Sequence, residues 1–261
     1  QNAPSELSKA TYSAMKERSI GLGAMGFHAY LQRHNIPFES AMAKGRNMSM
    51  FWHIKSCALA ASERLAEERG ECPDGVGKGR RNVHLLAVAP NASSSIICGN
   101  TSPSIEPYRA NAFTQKTKSG SSLQKNEYLQ AILQDLEMDT DEVWKDIVTS
   151  GGSVQHLEFL DDWTKDVFKT AVEIDQRWII DMAADRQKHI CQSQSLNIFF
   201  PANVSKQELH AVHMMAWKKK VKTLYYLRSE AYRRAETVSD EALRQMVVES
   251  VDEGACLACE G

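Results

Sequence analysis

The sequence predicts an α/β fold built on parallel strands. Strand-like and helical runs alternate along the chain. The helical run Val204–Lys219 also stands between two apolar runs of strand length, Ser195–Phe200 and Val221–Leu227, which is the spacing of a parallel crossover. Composition agrees with a globular protein: 261 residues, 43% hydrophobic, 25% charged and a formal net charge of -2. A chain of this length buries a core without disulfide staples. Near-zero charge argues against binding a nucleic acid polymer, which calls for a basic excess. No run approaches the roughly 18 apolar residues of a membrane span, so no membrane partner is expected.

Taken in order, Ser8–Lys16 reads as a helix and Met15–Gly26 as a glycine-rich stretch. A long helix is expected over Glu39–Arg69, where Met42, Phe51, Ile54, Leu59 and Leu65 recur at three- and four-residue spacings. Gly70 to Gly75 stops it, and Gly75–Arg81 (GVGKGRR) is a basic loop. Asn82–Ala89 is a strand, followed at once by Pro90. Residues Ser102–Ser122 are irregular with some strand character, and Gln124–Leu136 and Asp141–Val148 are helices. One uninterrupted helix is predicted over Asp161–Lys188 from Trp163, Val167, Ala171, Ile174, Trp178 and Met182. Asn203 or Ser205 caps the helix that follows Pro201. Beyond Arg228 the sequence turns charged, with one marginal helix at Ser239–Val248.

Four short patterns carry chemistry. Gly21-Leu22-Gly23-Ala24-Met25-Gly26 matches a dinucleotide fingerprint, but Ala14–Arg18 before it is a poor strand. Glu39 is also the only acid between Gln32 and Ser62 that could meet ribose hydroxyls. Close packing through small residues explains it as well. Pro90-Asn91-Ala92-Ser93-Ser94-Ser95 ends a strand and opens a short apolar segment. A helix start there would present free amides and hydroxyls to a phosphate, and a plain helix cap would use the same residues. Tyr225-Tyr226 closes a strand. Regular pleating would send the two rings to opposite faces, whereas a broken pleat would let the phenols stack. Cys256 and Cys259 form a CxxC near the end of the chain. No second CxxC or nearby His completes a zinc site, so a redox pair fits better than a metal site.

Taken together, these runs resemble the C-terminal half of the large, catalytic subunit of class I ribonucleotide reductase. Glu17–Tyr30 (ERSIGLGAMGFHAY) is similar to a family segment, and Pro90–Ser95 to the loop that binds the substrate diphosphate. Gly99–Tyr108 (GNTSPSIEPY) and Gln192–Ile198 (QSQSLNI) follow in the family's order. Val221–Arg228 (VKTLYYLR) resembles the strand bearing the radical-transfer tyrosines, and Cys256 and Cys259 the shuttle thiols. The tyrosine pair favours class I over the cobalamin-dependent class. The resemblance implies the latter part of a ten-stranded α/β barrel over Gln1–Arg228, with a flexible tail over Ser229–Gly261 carrying the thiols. A coil as long as Ser229–Ala255 spans roughly 30 Å, enough to move thiols between two stations.

The resemblance also implies what must come from elsewhere. No cysteine here has Asn two residues before it and Glu two after, so the thiyl-radical motif is missing. The redox pair that reduces the ribose and the regulatory sites also lie upstream in the family. Glu106 cannot replace the missing glutamate, because its motif belongs to the loop after the phosphate site. With Gln1-Asn2-Ala3-Pro4 at its start and no initiator Met, the chain is expected to be a piece of a split-gene or truncated subunit, poorly soluble or obligately associated alone. The implied partners are the upstream half, a small subunit whose di-iron centre makes a tyrosyl radical, thioredoxin or glutaredoxin as reductant, and a ribonucleoside diphosphate. No cofactor or metal is expected on this chain itself. A cytoplasmic setting follows from the reducible thiols and the absence of a leader. Two rival readings are a nicotinamide-dependent oxidoreductase using Gly21–Gly26, and an inactive half-reductase kept as an interaction scaffold.

Overall fold

A computed structural model of the chain describes residues 3–117 and 120–229. The sheet that positions everything else consists of four extended segments, 20–22, 84–88, 192–200 and 225–229, side by side in chain order. The Ile20 N–H donates to His84 O (3.1 Å) and the Ala87 N–H to Leu22 O (3.1 Å). The Val88 N–H donates to Ser193 O (3.1 Å) and the Ser195 N–H to Val88 O (2.8 Å). At the far side β3 (Ile198–Phe200) pairs in parallel with β4 (Leu227–Ser229), Ile198 opposite Leu227. Bridges Leu22–Leu86 and Val88–Gln194 are parallel too. Parallel neighbours need long crossovers, and helices fill each one.

Helix α1 (Ser8–Glu17) precedes the first segment. The first crossover holds α2 (Phe27–Arg33) and α3 (Ala41–Arg69). α3 starts two residues later than the apolar spacing suggests because the Ser40 side chain accepts the Ala43 N–H (3.1 Å) and caps it. The second crossover is the longest. It contains α4 (Ala92–Ile97), an antiparallel hairpin of β1 (Ala112–Thr117) and β2 (Gly120–Lys125), α5 (Glu127–Asp135), α6 (Asp141–Thr149), α7 (Asp162–Val167) and α8 (Gln176–Gln187). The third carries α9 (Lys206–Lys218), capped by Ser205, whose hydroxyl accepts the Glu208 N–H.

The single helix expected over Asp161–Lys188 is two helices. Asp161 accepts the Thr164 N–H and starts α7, and Asp175 accepts the Arg177 N–H and starts α8. Between them Glu173 takes the Thr170 N–H at 2.7 Å. Apolar periodicity runs across the break because both sides are buried, but in different cores. Val167 and Phe168 belong with α5, α6, Val154, Leu157 and Leu160, whereas Ala171, Ile174, Ile179 and Met182 join α2, α3, the 85–88 segment, β3 and α9. The strand expected over Val221–Leu227 is also shifted: the regular strand is Leu227–Ser229. The proposed helix at Ser239–Val248, and Cys256 and Cys259 with it, lie outside the described residues.

A polar seam joins the two cores. Asn111 Nδ2 donates to Gly152 O (3.0 Å) and Phe168 O (2.7 Å), and Asn126 Nδ2 donates to Asn111 Oδ1 (3.1 Å) and Gln32 Oε1 (2.8 Å). At its end the fully buried His28 accepts the Tyr108 N–H on Nδ1 (2.9 Å) and meets Phe38 edge-on. Among the described residues no helix is long and apolar enough to cross a membrane.

Candidate functional site

In a parallel sheet the loops after the strands' C-terminal ends gather on one rim, where α/β proteins place their sites. The rim here collects two of the runs singled out above, the glycine motif and Pro90–Ser95, while the tyrosine pair opens the fourth segment. The 84–88 segment ends at Val88, and Pro90–Ser95 turns directly into α4. Asn91 makes the turn with φ 56°, a left-handed conformation that asparagine tolerates. The Ser95 N–H returns to Asn91 O (3.0 Å), and its buried hydroxyl donates to Ala92 O (2.8 Å). Ala92, Ser93 and Ser94 are exposed at the helix start, where main-chain N–H groups lack partners within the helix.

The glycine motif is the other wall. A Cβ on Gly23 would stand 2.7 Å from Ala87 O, and one on Gly21 3.3 Å from Ala87 Cβ. The absence of side chains lets the first two segments close up. An open cleft of ≈ 220 Å³ remains between Gly23–Met25 and Ala87, Asn91 and Ser94. The motif does not follow a strand as a dinucleotide fingerprint must. Its first glycine lies inside the paired segment, and α1 stands before it. Glu39, the acid a ribose would need, is committed to Lys169 (2.7 Å) and the Asp175 N–H (2.6 Å).

On the opposite side of the 192–200 segment stands the tyrosine pair. The Tyr225 N–H donates to Leu196 O (2.9 Å), and Tyr226 O accepts from the Ile198 N–H (3.0 Å). In a regular parallel ladder both bonds would come from one residue opposite Asn197. Here two residues fill that place, so the strand carries a bulge. The extra N–H, on Tyr226, is taken by Asn197 Oδ1 at 3.0 Å. The pleat is broken at this point, and the rings lie together with centroids 4.1 Å apart. Tyr225 is exposed and Tyr226 half-buried. The Arg228 guanidinium stands 4.8 Å from the Tyr226 ring centre. Lys222 clamps the run before the pair by donating to the carbonyls of Ile190, Cys191 and Gln192 at 2.8–3.1 Å.

Ser195 pairs with Val88 on one flank while Leu196 pairs with Tyr225 on the other. The Pro90–Ser95 loop therefore leaves the sheet at about the level where the tyrosine run enters it. Their backbones stand two strand spacings apart, about 10 Å.

Two residues near the pair were not marked as functional by the sequence reading, Asn197 and Arg228, and a third, Glu106, was considered only to be set aside. Glu106 is 5% exposed, and its Oε1 has no hydrogen-bond partner. Burial pushes its carboxyl up to about 7. The charges of Arg228 and Arg109, and the main-chain and side-chain N–H groups of Asn197, hold it from rising further. The only sequence signal was position: Glu106 in the run after the phosphate loop, Asn197 in QSQSLNI, Arg228 two residues past Tyr226.

The family described as "Ribonucleotide reductase, barrel domain" matches residues 1–77 and 73–227. The chain belongs to this family. Its similarity to the ribonucleoside-diphosphate reductase large subunit of Invertebrate iridescent virus 6 is 51% identity over 243 residues, covering 92% of this chain and 25% of that protein. The corresponding subunit of Invertebrate iridescent virus 3 is 44% identical, covering 100% of this chain and 41% of that one. Among solved structures, the Actinobacillus ureae class Id ribonucleotide reductase alpha subunit superposes with a TM-score of 0.82 at 39% identity, over 88% of this chain and 42% of that chain. The chain thus spans from a quarter to somewhat under half the length of these relatives. Its four parallel segments with helical crossovers are part of the reductase α/β barrel.

Proposed function

We propose that the chain supplies the diphosphate loop and the tyrosine relay of a ribonucleoside-diphosphate reductase. The observation that carries this reading is the pairing of Pro90–Ser95 and Tyr225–Tyr226 at one level, on either side of a single strand. A substrate whose phosphates meet the loop's amides and the Ser93 and Ser94 hydroxyls would have its sugar within reach of a radical delivered along the tyrosines. Ring contact at 4.1 Å suits a short step. Tyr226 gives up an electron and its phenolic proton to the incoming radical, and Tyr225 then gives its own to Tyr226. A cysteine thiol from an upstream companion sequence passes a hydrogen to Tyr225 and becomes the thiyl that abstracts the hydrogen from the 3′ carbon. The 2′ hydroxyl leaves as water, and two thiols of the companion supply the electrons and close to a disulfide. Cys256 and Cys259 would reduce that disulfide by exchange and be reduced in turn by thioredoxin or glutaredoxin. The first radical would come from a di-iron tyrosyl centre in a small subunit. Ile20 and Leu22, about half exposed on the outer edge of the first segment, suit a companion that continues the sheet.

The test is reconstitution with the upstream region and a small subunit, followed by an assay of nucleoside diphosphate reduction. Tyr225→Phe and Tyr226→Phe remove the phenolic proton and should abolish turnover while leaving the fold intact. Undiminished turnover in either variant refutes the relay. Absence of activity with every companion favours the scaffold reading.

A further inference from the structure

Glu106 has no part in the relay just described, yet it is a buried carboxyl beside the tyrosine pair. It lies in the run that follows the phosphate loop, and two neighbours tie it to the pair. Asn197 turns its main-chain and side-chain N–H groups toward the carboxyl, and its Oδ1 takes the Tyr226 N–H at 3.0 Å. Arg228 faces the carboxyl by charge and lies over the Tyr226 ring at 4.8 Å. Arg109, on Glu106's own segment, is the other charged group acting on it among the described residues. The bulge holds only while Asn197 keeps its amide oriented, since a side-chain amide can rotate and present nitrogen instead of oxygen. A carboxylate facing Nδ2 forces Oδ1 toward Tyr226.

We propose that Glu106 is the positioning carboxylate of the tyrosine pair, fixing its backbone through Asn197 and its ring through Arg228. The proposal rests on the relay reading and adds a control to it. The ionised carboxylate holds the Asn197 amide and the Arg228 guanidinium; the protonated acid, no longer an anion, releases both. The charged form is lost as pH falls through about 7. Relay activity therefore falls on the acid side with a limb that belongs to Glu106.

The test is the pH–rate profile of nucleoside diphosphate reduction by the reconstituted reductase, for the wild type and two variants. Glu106→Gln keeps the volume and lacks the titration: its rate is reduced several-fold at pH 8 and the acid limb disappears. Arg228→Gln removes the leading charge that favours the carboxylate, so its limb moves upward by about one pH unit, whatever its rate. This second variant decides the matter if Glu106→Gln does not fold. An unchanged limb in Glu106→Gln, or a limb that stays in place in Arg228→Gln, overturns the proposal. Neither result touches the relay itself, which stands or falls on Tyr226→Phe.

Discussion

His28 adds an acid-labile contribution to the stability of the fold, and its size follows from the ring's surroundings. The ring is fully buried between Phe38, Tyr108 and Gln32, and Nδ1 accepts a main-chain N–H. That fixes the neutral tautomer with hydrogen on Nε2. Burial drives its pKa from 6.5 down to about 3. The unfolded chain therefore binds a proton below pH 6.5 that the folded chain refuses until about pH 3. Stability from this group is complete above pH 6.5 and is lost as pH falls. Each pH unit below 6.5 costs about 1.36 kcal/mol, so lowering pH from 7.5 to 5 removes about 2 kcal/mol. Glu106 works in the opposite sense. Its raised pKa gives stability that is present below 4.5 and lost as pH rises through about 7, and over the same window this offsets a similar amount. The two nearly cancel in the wild type. His28→Asn sets an acceptor where Nδ1 stood and removes the titration. In urea unfolding at pH 7.5, 6 and 5, the variant's deficit relative to the wild type should shrink by about 2 kcal/mol toward acid. A deficit that stays constant across the three values would refute the assignment of His28 as the acid-labile group.

Two further substitutions probe the frame of the site. Gly23→Ala forces a methyl to within 2.7 Å of Ala87 O, a backbone atom that cannot rotate away, so the first two segments must part. A loss of about 1–3 kcal/mol is expected in urea unfolding, and a change below about 0.5 kcal/mol would mean the segments are not closely packed there. Asn111→Ala leaves Phe168 O without its buried donor and Asn126 without one of its acceptors, which should cost about 3 kcal/mol and loosen the seam between the two cores. Hydrogen exchange should then rise in α5–α7 before it rises in α3 and α8. Equal rise in both sets would show that the seam does not separate two units.

The parallel class, most helices and the order of the motifs were legible in the chain because each depends on local chemistry. Ser205 caps, Gly70 and Pro201 terminate, and α3 repeats apolar residues at three- and four-residue spacings. The break between α7 and α8 was not legible, because hydrophobic spacing records that residues are buried but not which core buries them. Val167 and Ala171 are consecutive on one apparent stripe and belong to different clusters. The candidate site divided the same way. Pro90–Ser95 and Tyr225–Tyr226 could be picked out as residues, but the dipeptide could not say whether its rings stack or part. That depends on a bulge opposite Asn197, formed because a side-chain amide accepts the spare Tyr226 N–H.

The sequence by itself determined the family, through motifs in order, and singled out Pro90–Ser95 and Tyr225–Tyr226 as the candidate site residues. Only the tertiary structure decided that the loop leaves the sheet at the level where the tyrosines enter it, and that Glu106 is buried beside the pair. The reason is physical: strand register and burial come from pairings between segments far apart in the chain, and no local pattern encodes the level at which two strands align.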